Sequence, residues 1–355
     1  MLFRSIGLVE GVAESLSALL RVFSGWWGDR TGREKQLTLA GYSASLLYKL
    51  LLYFSTGWVG VLVARIADRA GKGIRTAPRD ALVAASGGDK QLGRSFGLHK
   101  MMDMAGSAVG VALAFFIVWA GMTFQTAFMI SLIPAGLGII TICLVRPGSG
   151  KIKIKNEEAP VKLRINGRLI SYLAVIFVFS IGNSSNAFLL LKASDTGLNE
   201  WQVILVYLLF NITTSVFAYP FGKLSDKVGR GKLLVPGYFL YGLVYMGYAF
   251  ATSSWMIPIL FVIYGLYTAL ISGAERAFLV EQAPPKYKGT VLGLHGMCQG
   301  FGLLIASLLA GGLWNKWGSN MPFVVGGIIG FACSFAVLIL SELMKRQNIK
   351  SCSMS

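Results

Sequence analysis

The chain has 355 residues, of which 54% are hydrophobic and only 14% charged. A water-soluble protein of this length carries roughly a quarter of its residues as charges to cover its surface, so that class is excluded. The formal net charge of +17, from 33 Lys and Arg against 16 Asp and Glu, does not describe a nucleic-acid binder, because the basic residues are dispersed between long apolar runs.

Apolar stretches long enough to cross a bilayer as a helix are predicted at 3–25, 37–56, 58–84, 93–118, 123–145, 168–190, 200–221, 233–251, 255–281, 288–314 and 321–342. Each carries its own polar signature. In 3–25, Glu10 and Glu14 lie one turn apart with Arg21 nearly in line. This acidic pair either exchanges protons or rests in ion pairs with Lys49 or Arg65. In 58–84, Arg65, Arg69, Lys72 and Arg79 fall within an arc of roughly 80° at helical spacing. The counterpart stretch 255–281 stays apolar through Ile271, with Val262 and Leu266 where the first has Arg65 and Arg69, so 58–84 reads as a true crossing.

In 93–118, His99 and Asp103 sit one turn apart, with Lys100 also in reach; the pair is a possible proton relay or a structural contact. Asn183, Ser184, Ser185 and Asn186 in 168–190 supply neutral hydrogen-bonding groups that could line a substrate path or bond a neighbouring helix. Gly106 and Gly110, and Gly289, Gly293, Gly296 and Gly300, read as smooth faces for close helix packing. Cys143, Cys298, Cys333 and Cys352 are widely spaced without a CxxC pair and there are two histidines, so neither a zinc site nor a disulfide framework is indicated.

Lysine and arginine are retained in cytoplasmic loops. The loops near 26–36, 86–94, 146–168, 222–232 and 283–290 and the tail 345–355 hold nearly all the loop cations, whereas the opposite set holds Lys192 and Lys316. The basic loops and the C-terminus are therefore expected on the cytoplasmic side.

The chain also repeats. Gly25-x-x-x-Asp29-Arg30-x-Gly32-Arg33-x-Lys35 returns as Gly222-x-x-x-Asp226-Lys227-x-Gly229-Arg230-x-Lys232, each position 197 residues later. Phe96-Gly97-Leu98-His99 returns as Leu292-Gly293-Leu294-His295 at an offset of 196. Two matches in the same order imply a duplicated bundle in parallel orientation: an N-terminal bundle over 1–145, a cytoplasmic linker over 146–167, a C-terminal six-helix bundle over 168–342 and a tail over 343–355. The partner of 168–190 would lie before residue 1, so the expectation is a six-plus-six protein whose sequence begins one helix late.

The duplicated loop resembles the signature loop of the major facilitator superfamily, and the stretch from Arg65 to Asp80 resembles that family's arginine-bearing fourth-helix motif, in a form typical of a poorly characterised prokaryotic branch. The resemblance covers essentially the whole chain. It implies an all-α polytopic membrane protein of two parallel-repeat bundles, here with eleven transmembrane helices, five plus six. Glu34 stands where the family usually has a base, and Val111 follows Gly110 where its antiporter motif has a Gly-Pro pair.

The loop makes sense as a gate latch, since its glycines permit a tight turn and Asp29 and Asp226 can meet the positive end of a neighbouring helix. Gly25, Asp29, Arg30, Gly32, Arg33, Gly222, Asp226, Lys227, Gly229 and Arg230 form this gating motif, with Arg79 and Arg276 as gate residues. Charges within a crossing are costly and so belong to a cavity, a partner or the membrane edge. Glu10 and Glu14 are assigned to proton coupling; Lys49, Arg65, Arg69, Asn183 and Asn186 to substrate.

The expected activity is secondary active transport of a small polar or amphipathic anionic solute by alternating access, coupled to protons, in a monomer spanning the cell (inner) membrane. Its partners are the solute, protons and the lipid bilayer, with no nucleic acid, metal or cofactor. A drug or cation efflux antiporter, a non-transporting receptor and an inactive fragment stay open as alternatives. An enzyme is disfavoured: Gly71-Lys72-Gly73 and Gly229-Arg230-Gly231-Lys232 lack Walker spacing and its Ser/Thr.

Overall fold

The computed structural model of the chain describes residues 2–54, 58–145 and 166–352, with side chains described from Leu16 to Leu343 apart from a few positions. The Glu10 and Glu14 side chains and the linker residues 146–165 lie outside the described residues.

The described helices are α1 (Leu2–Thr31), α2 (Glu34–Phe54), α3 (Trp58–Gly87), α4 (Leu92–Trp119), α5 (Phe124–Leu144), α6 (Gly167–Gly182), α7 (Asn186–Asp195), α8 (Glu200–Val228), α9 (Arg230–Phe250), α10 (Met256–Gln282), α11 (Lys288–Trp317) and α12 (Met321–Cys352). No strand occurs among the described residues. Eight segments there are long and apolar enough to cross a membrane. The charges of α3 keep it out of that set although it runs for 30 residues. With α6 and α7 taken as one interrupted crossing, the helices match the eleven apolar stretches, and the all-α polytopic class holds.

Helix ends follow local chemistry. Asn199 opens α8 with a reciprocal capping box to Gln202. Thr123 caps α5 by accepting from the Thr126 N–H. The second glycine of each repeated motif takes positive φ, 64° at Gly32 and 107° at Gly229. There it ends one long helix and lets the next begin within two residues, a turn that a Cβ would strain.

The chain divides into two compact units. The first gathers Met1–Gly88, Ala112–Ile170 and Gln282–Leu304; the second gathers Asp89–Val111, Ser171–Glu281 and Ile305–Ser355. Each unit thus holds the opening turns of α4 or α11 from the other repeat.

In the first unit α3 packs on both α1 and α2. The backbones approach where Gly41 meets Gly71 and Gly73 meets Ser17, and Ser24 Oγ donates to the Gly73 carbonyl at 3.1 Å. In the second unit α9 packs along α12, with Gly326 and Gly330 receiving the rings of Tyr245 and Tyr241. Tyr238, Tyr241, Tyr245, Tyr248, Phe261 and Phe323 form its fully buried core.

The glycine faces divide. Gly289, Gly293 and Gly296 of α11 lie against α1, whereas Gly106 and Gly110 of α4 have no atom of the described residues within 4 Å of where a side chain would start.

Candidate functional site

The repeated motif builds two matching contacts. Asp29, at the end of α1, accepts from the N–H groups of Gly289 and Thr290 at 2.9 and 2.5 Å and from Thr290 Oγ1 at 2.6 Å. Asp226, 197 residues later on α8, accepts from the N–H groups of Gly93 and Arg94 at 2.9 and 2.8 Å. In both cases a carboxylate satisfies orphan N–H groups at the opening of a helix from the other repeat, where the helix dipole favours negative charge. Glycines allow the approach: a methyl on Gly25 would overlap the Gly289 carbonyl, and one on Gly222 the Gly93 carbonyl.

The surroundings differ. Arg230, buried, grips Asp226 through Nε at 3.2 Å and Nη2 at 3.1 Å, pairs with Glu281 at 3.1 Å and donates to the Asp89 carbonyl at 2.6 Å. Its counterpart Arg33 is exposed, and the residues matching Gly231 and Glu281 are Glu34 and Ala84. Around Asp29, burial outweighs the Thr290 and Gly289 hydrogen bonds and, with the nearby Glu34 charge, pushes its pKa up to about 6. Arg30 is exposed and stacks on Trp26, 5.4 Å from the ring centroid. Lys227 is exposed as well.

A second constellation lies on α2 and α3. Asp68, Arg65 and Arg69 lie within electrostatic reach of Tyr48, and Asp68 and Arg75 within reach of its neighbour Lys49. Lys49 Nζ donates to the Ser131 carbonyl at 2.7 Å; Arg75 donates to Ser45 Oγ and stacks on Tyr42 at 4.5 Å. Arg65 is exposed and Arg69 half-buried.

The third is the interruption between α6 and α7, which falls on Asn183, Ser184 and Ser185. Ser and Asn side chains compete with helical backbone bonds, and here Ser185 Oγ accepts from the Ala187 N–H at 3.3 Å, capping α7. Tyr241 donates to the Gly182 carbonyl at 2.8 Å, Tyr245 to Asn183 Oδ1 at 3.4 Å and Tyr264 to Asn186 Oδ1 at 3.1 Å.

Other sequence-predicted residues fall elsewhere. Lys100 Nζ lies 3.9 Å from Asp103. Arg79 pairs with its neighbour Asp80 at 3.1 Å, and Arg276 is half-buried on α10. Motif reading passed over Glu281, Asp89 and the buried Glu275, which accepts from Tyr238 at 3.0 Å. It also passed over the tyrosine row at 238, 241, 245 and 248, whose three- and four-residue spacing was a visible helical signal.

Comparisons with known proteins bear on the family and the fold. The family profile of the Major Facilitator Superfamily matches residues 3–191 and 170–351. An uncharacterised MFS-type transporter of Methanocaldococcus jannaschii is 33% identical over 349 residues, 95% of this chain and 86% of that protein. The multi-drug resistance efflux pump PmrA of Streptococcus pneumoniae is 22% identical over 98% of this chain and 90% of its own length. The crystal structure of the human organic anion transporter TETRAN shares the fold, with a TM-score of 0.78 at 15% identity over 93% of this chain and 83% of that one. With two thirds of the chain or more matched on each count, this multi-pass membrane protein belongs to the major facilitator superfamily of transporters.

Proposed function

We propose that the chain is a secondary active transporter that moves a small polar or amphipathic anionic solute by alternating access, coupled to protons, with its basic loops and C-terminus on the cytoplasmic side of the cell membrane. The observation that carries the anionic reading is the face on α2 and α3. There Asp68, Arg65 and Arg69 lie within electrostatic reach of Tyr48, and Asp68 and Arg75 within reach of the adjacent Lys49. Charged side chains within a crossing are expensive and mark substrate or ion pathways. Arginine suits carboxylate and phosphate because its planar fork can bind two oxygens at once.

The two aspartate latches support the alternating-access reading: each joins the end of a long helix to the start of another through a few hydrogen bonds that water can replace. Glu10 and Glu14 remain the proposed coupling residues. In proteoliposomes, Arg65→Ala should lower carboxylate uptake at least tenfold with folded protein recovered, and Glu14→Gln should flatten the pH dependence of uptake. Full activity of Arg65→Ala would remove the anion assignment.

The similarity to PmrA favours one second reading, efflux of drugs or lipophilic cations. Competition separates the two: organic anions should inhibit under the first and tetraphenylphosphonium under the second.

A further inference from the structure

About two turns before its latch carboxylate, α1 carries a cation that lies outside the repeated motif. Arg21 is buried, 8% exposed, and its Nη1 donates to the Gly296 carbonyl of α11 at 3.1 Å. A charge within a crossing is costly, and a helical carbonyl has a second lone pair to offer it.

Two glycines of α11 make room for this reach. A methyl on Gly293 would lie 2.6 Å from the Arg21 carbonyl oxygen and 2.8 Å from Val22 Cα, so there the two backbones touch. One on Gly296 would lie 2.7 Å from Arg21 Cδ, so there the side chain crosses. Within its own repeat α1 is fixed to α3, since Ser24 Oγ donates to the Gly73 carbonyl at 3.1 Å and Gly73 abuts Ser17. The guanidinium therefore reaches from an anchored helix to a helix of the other repeat.

The matched contact in the second unit shows what is particular to Arg21. There Ala218 stands for Arg21 and Lys100 for Gly296. The backbones meet in the same way, because a methyl on Gly97 would lie 2.6 Å from the Ala218 carbonyl oxygen. Ala218 has no side chain to send across. That contact has a buried arginine at its latch instead, Arg230, also 8% exposed. Among the described residues each contact thus holds a buried arginine, at the latch in the second and about two turns in from it in the first.

We propose that Arg21 is a positioning residue that holds α11 on α1 and sets the balance between the joined and the parted forms of this contact, in place of the cation that its latch lacks. On leaving the Gly296 carbonyl the guanidinium must find water or another acceptor, and that cost opposes separation of the helices. The inference rests on the alternating-access reading, in which helices of the two repeats part and rejoin, and adds to it a brace that the signature loop does not contain.

The test is amide hydrogen exchange of the full chain in lipid nanodiscs with no solute added. Wild type is compared with Arg21→Met, which keeps an apolar stem and loses the donors, and with Arg21→Lys, which keeps a donor. Exchange is read at Gly289 and Thr290, whose N–H groups Asp29 covers in the same contact. It should be at least fivefold faster in Arg21→Met and within twofold of wild type in Arg21→Lys. Exchange in the buried core of α9 around Tyr238 and Tyr245 should not change, whereas a general loss of packing would speed both. Gly296→Ala keeps the arginine but sets a methyl against its Cδ, and should speed the same two amides if the methionine variant does not fold.

Unchanged exchange in both the methionine and the alanine variants, equal acceleration in α9, or a lysine variant as fast as the methionine one would overturn the inference and leave alternating access standing. Wild-type Gly289 and Thr290 as strongly protected as the α9 core would show that the contact never parts, and would overturn that reading and the brace together.

Discussion

The latch at Asp29 and the latch at Asp226 make the same bonds in different company. Each carboxylate takes two backbone N–H groups at the start of a helix from the other repeat. Only the second is gripped by a buried arginine that also engages a glutamate and a backbone carbonyl. Duplication has kept the part that geometry dictates, the glycine approach and the carboxylate cap, while the charges around it diverged. Because a carboxylate with a buried cation beside it is better compensated than one held by dipoles alone, the second latch is expected to be the firmer and the first the one that responds to conditions.

The widest expected gap is between the two matched arginines. Arg230→Ala would leave the enclosed Asp226 and its network without their cation, a loss of about 3 kcal/mol on the scale of broken buried ion pairs. Arg33→Ala removes an exposed charge and should stay within about 0.5 kcal/mol. Thermal unfolding of the two variants in detergent measures the difference; equal shifts would end the distinction between a braced and an unbraced latch.

A smaller effect is the pH response of the first latch. Asp29 holds its proton up to about pH 6 when engaged and to the ordinary 3.8 when solvated. Its folded pKa is raised, so the linked stabilisation of the engaged form is complete below the lower value and is lost as pH rises through the higher one. Between pH 5 and 7.5 the ratio of engaged to released latch should fall roughly tenfold. Amide hydrogen exchange at Gly289 and Thr290, corrected for intrinsic rate, reads this directly, and Asp29→Asn should erase the dependence. The smallest effect is that of Glu34→Gln, which removes one like charge and should move the transition slightly toward lower pH; a move upward would contradict the assigned repulsion.

Much of this was legible before any coordinates. The length of apolar stretches marks crossings because lipid forces backbone bonds to close within a helix, and the 197-residue repeat placed both latch carboxylates. Their acceptor role at α11 and α4 was foreseeable in kind, as a helix end, although the identity of Gly289 and Gly93 was not. The run from Asn183 to Asn186 stood out as polar residues in an apolar segment, but a hydrophobicity pattern does not distinguish a polar patch on an intact helix from a broken one.

Glu281 and Asp89 escaped notice because each joins Arg230 across a large sequence separation.

The central claim, carriage of an anion, is tested most directly by measuring initial uptake rates of labelled carboxylates and of tetraphenylphosphonium into proteoliposomes bearing wild-type protein, under an imposed proton gradient. The account predicts saturable carboxylate uptake that collapses with the gradient. Transport of the lipophilic cation with no carboxylate uptake would contradict it.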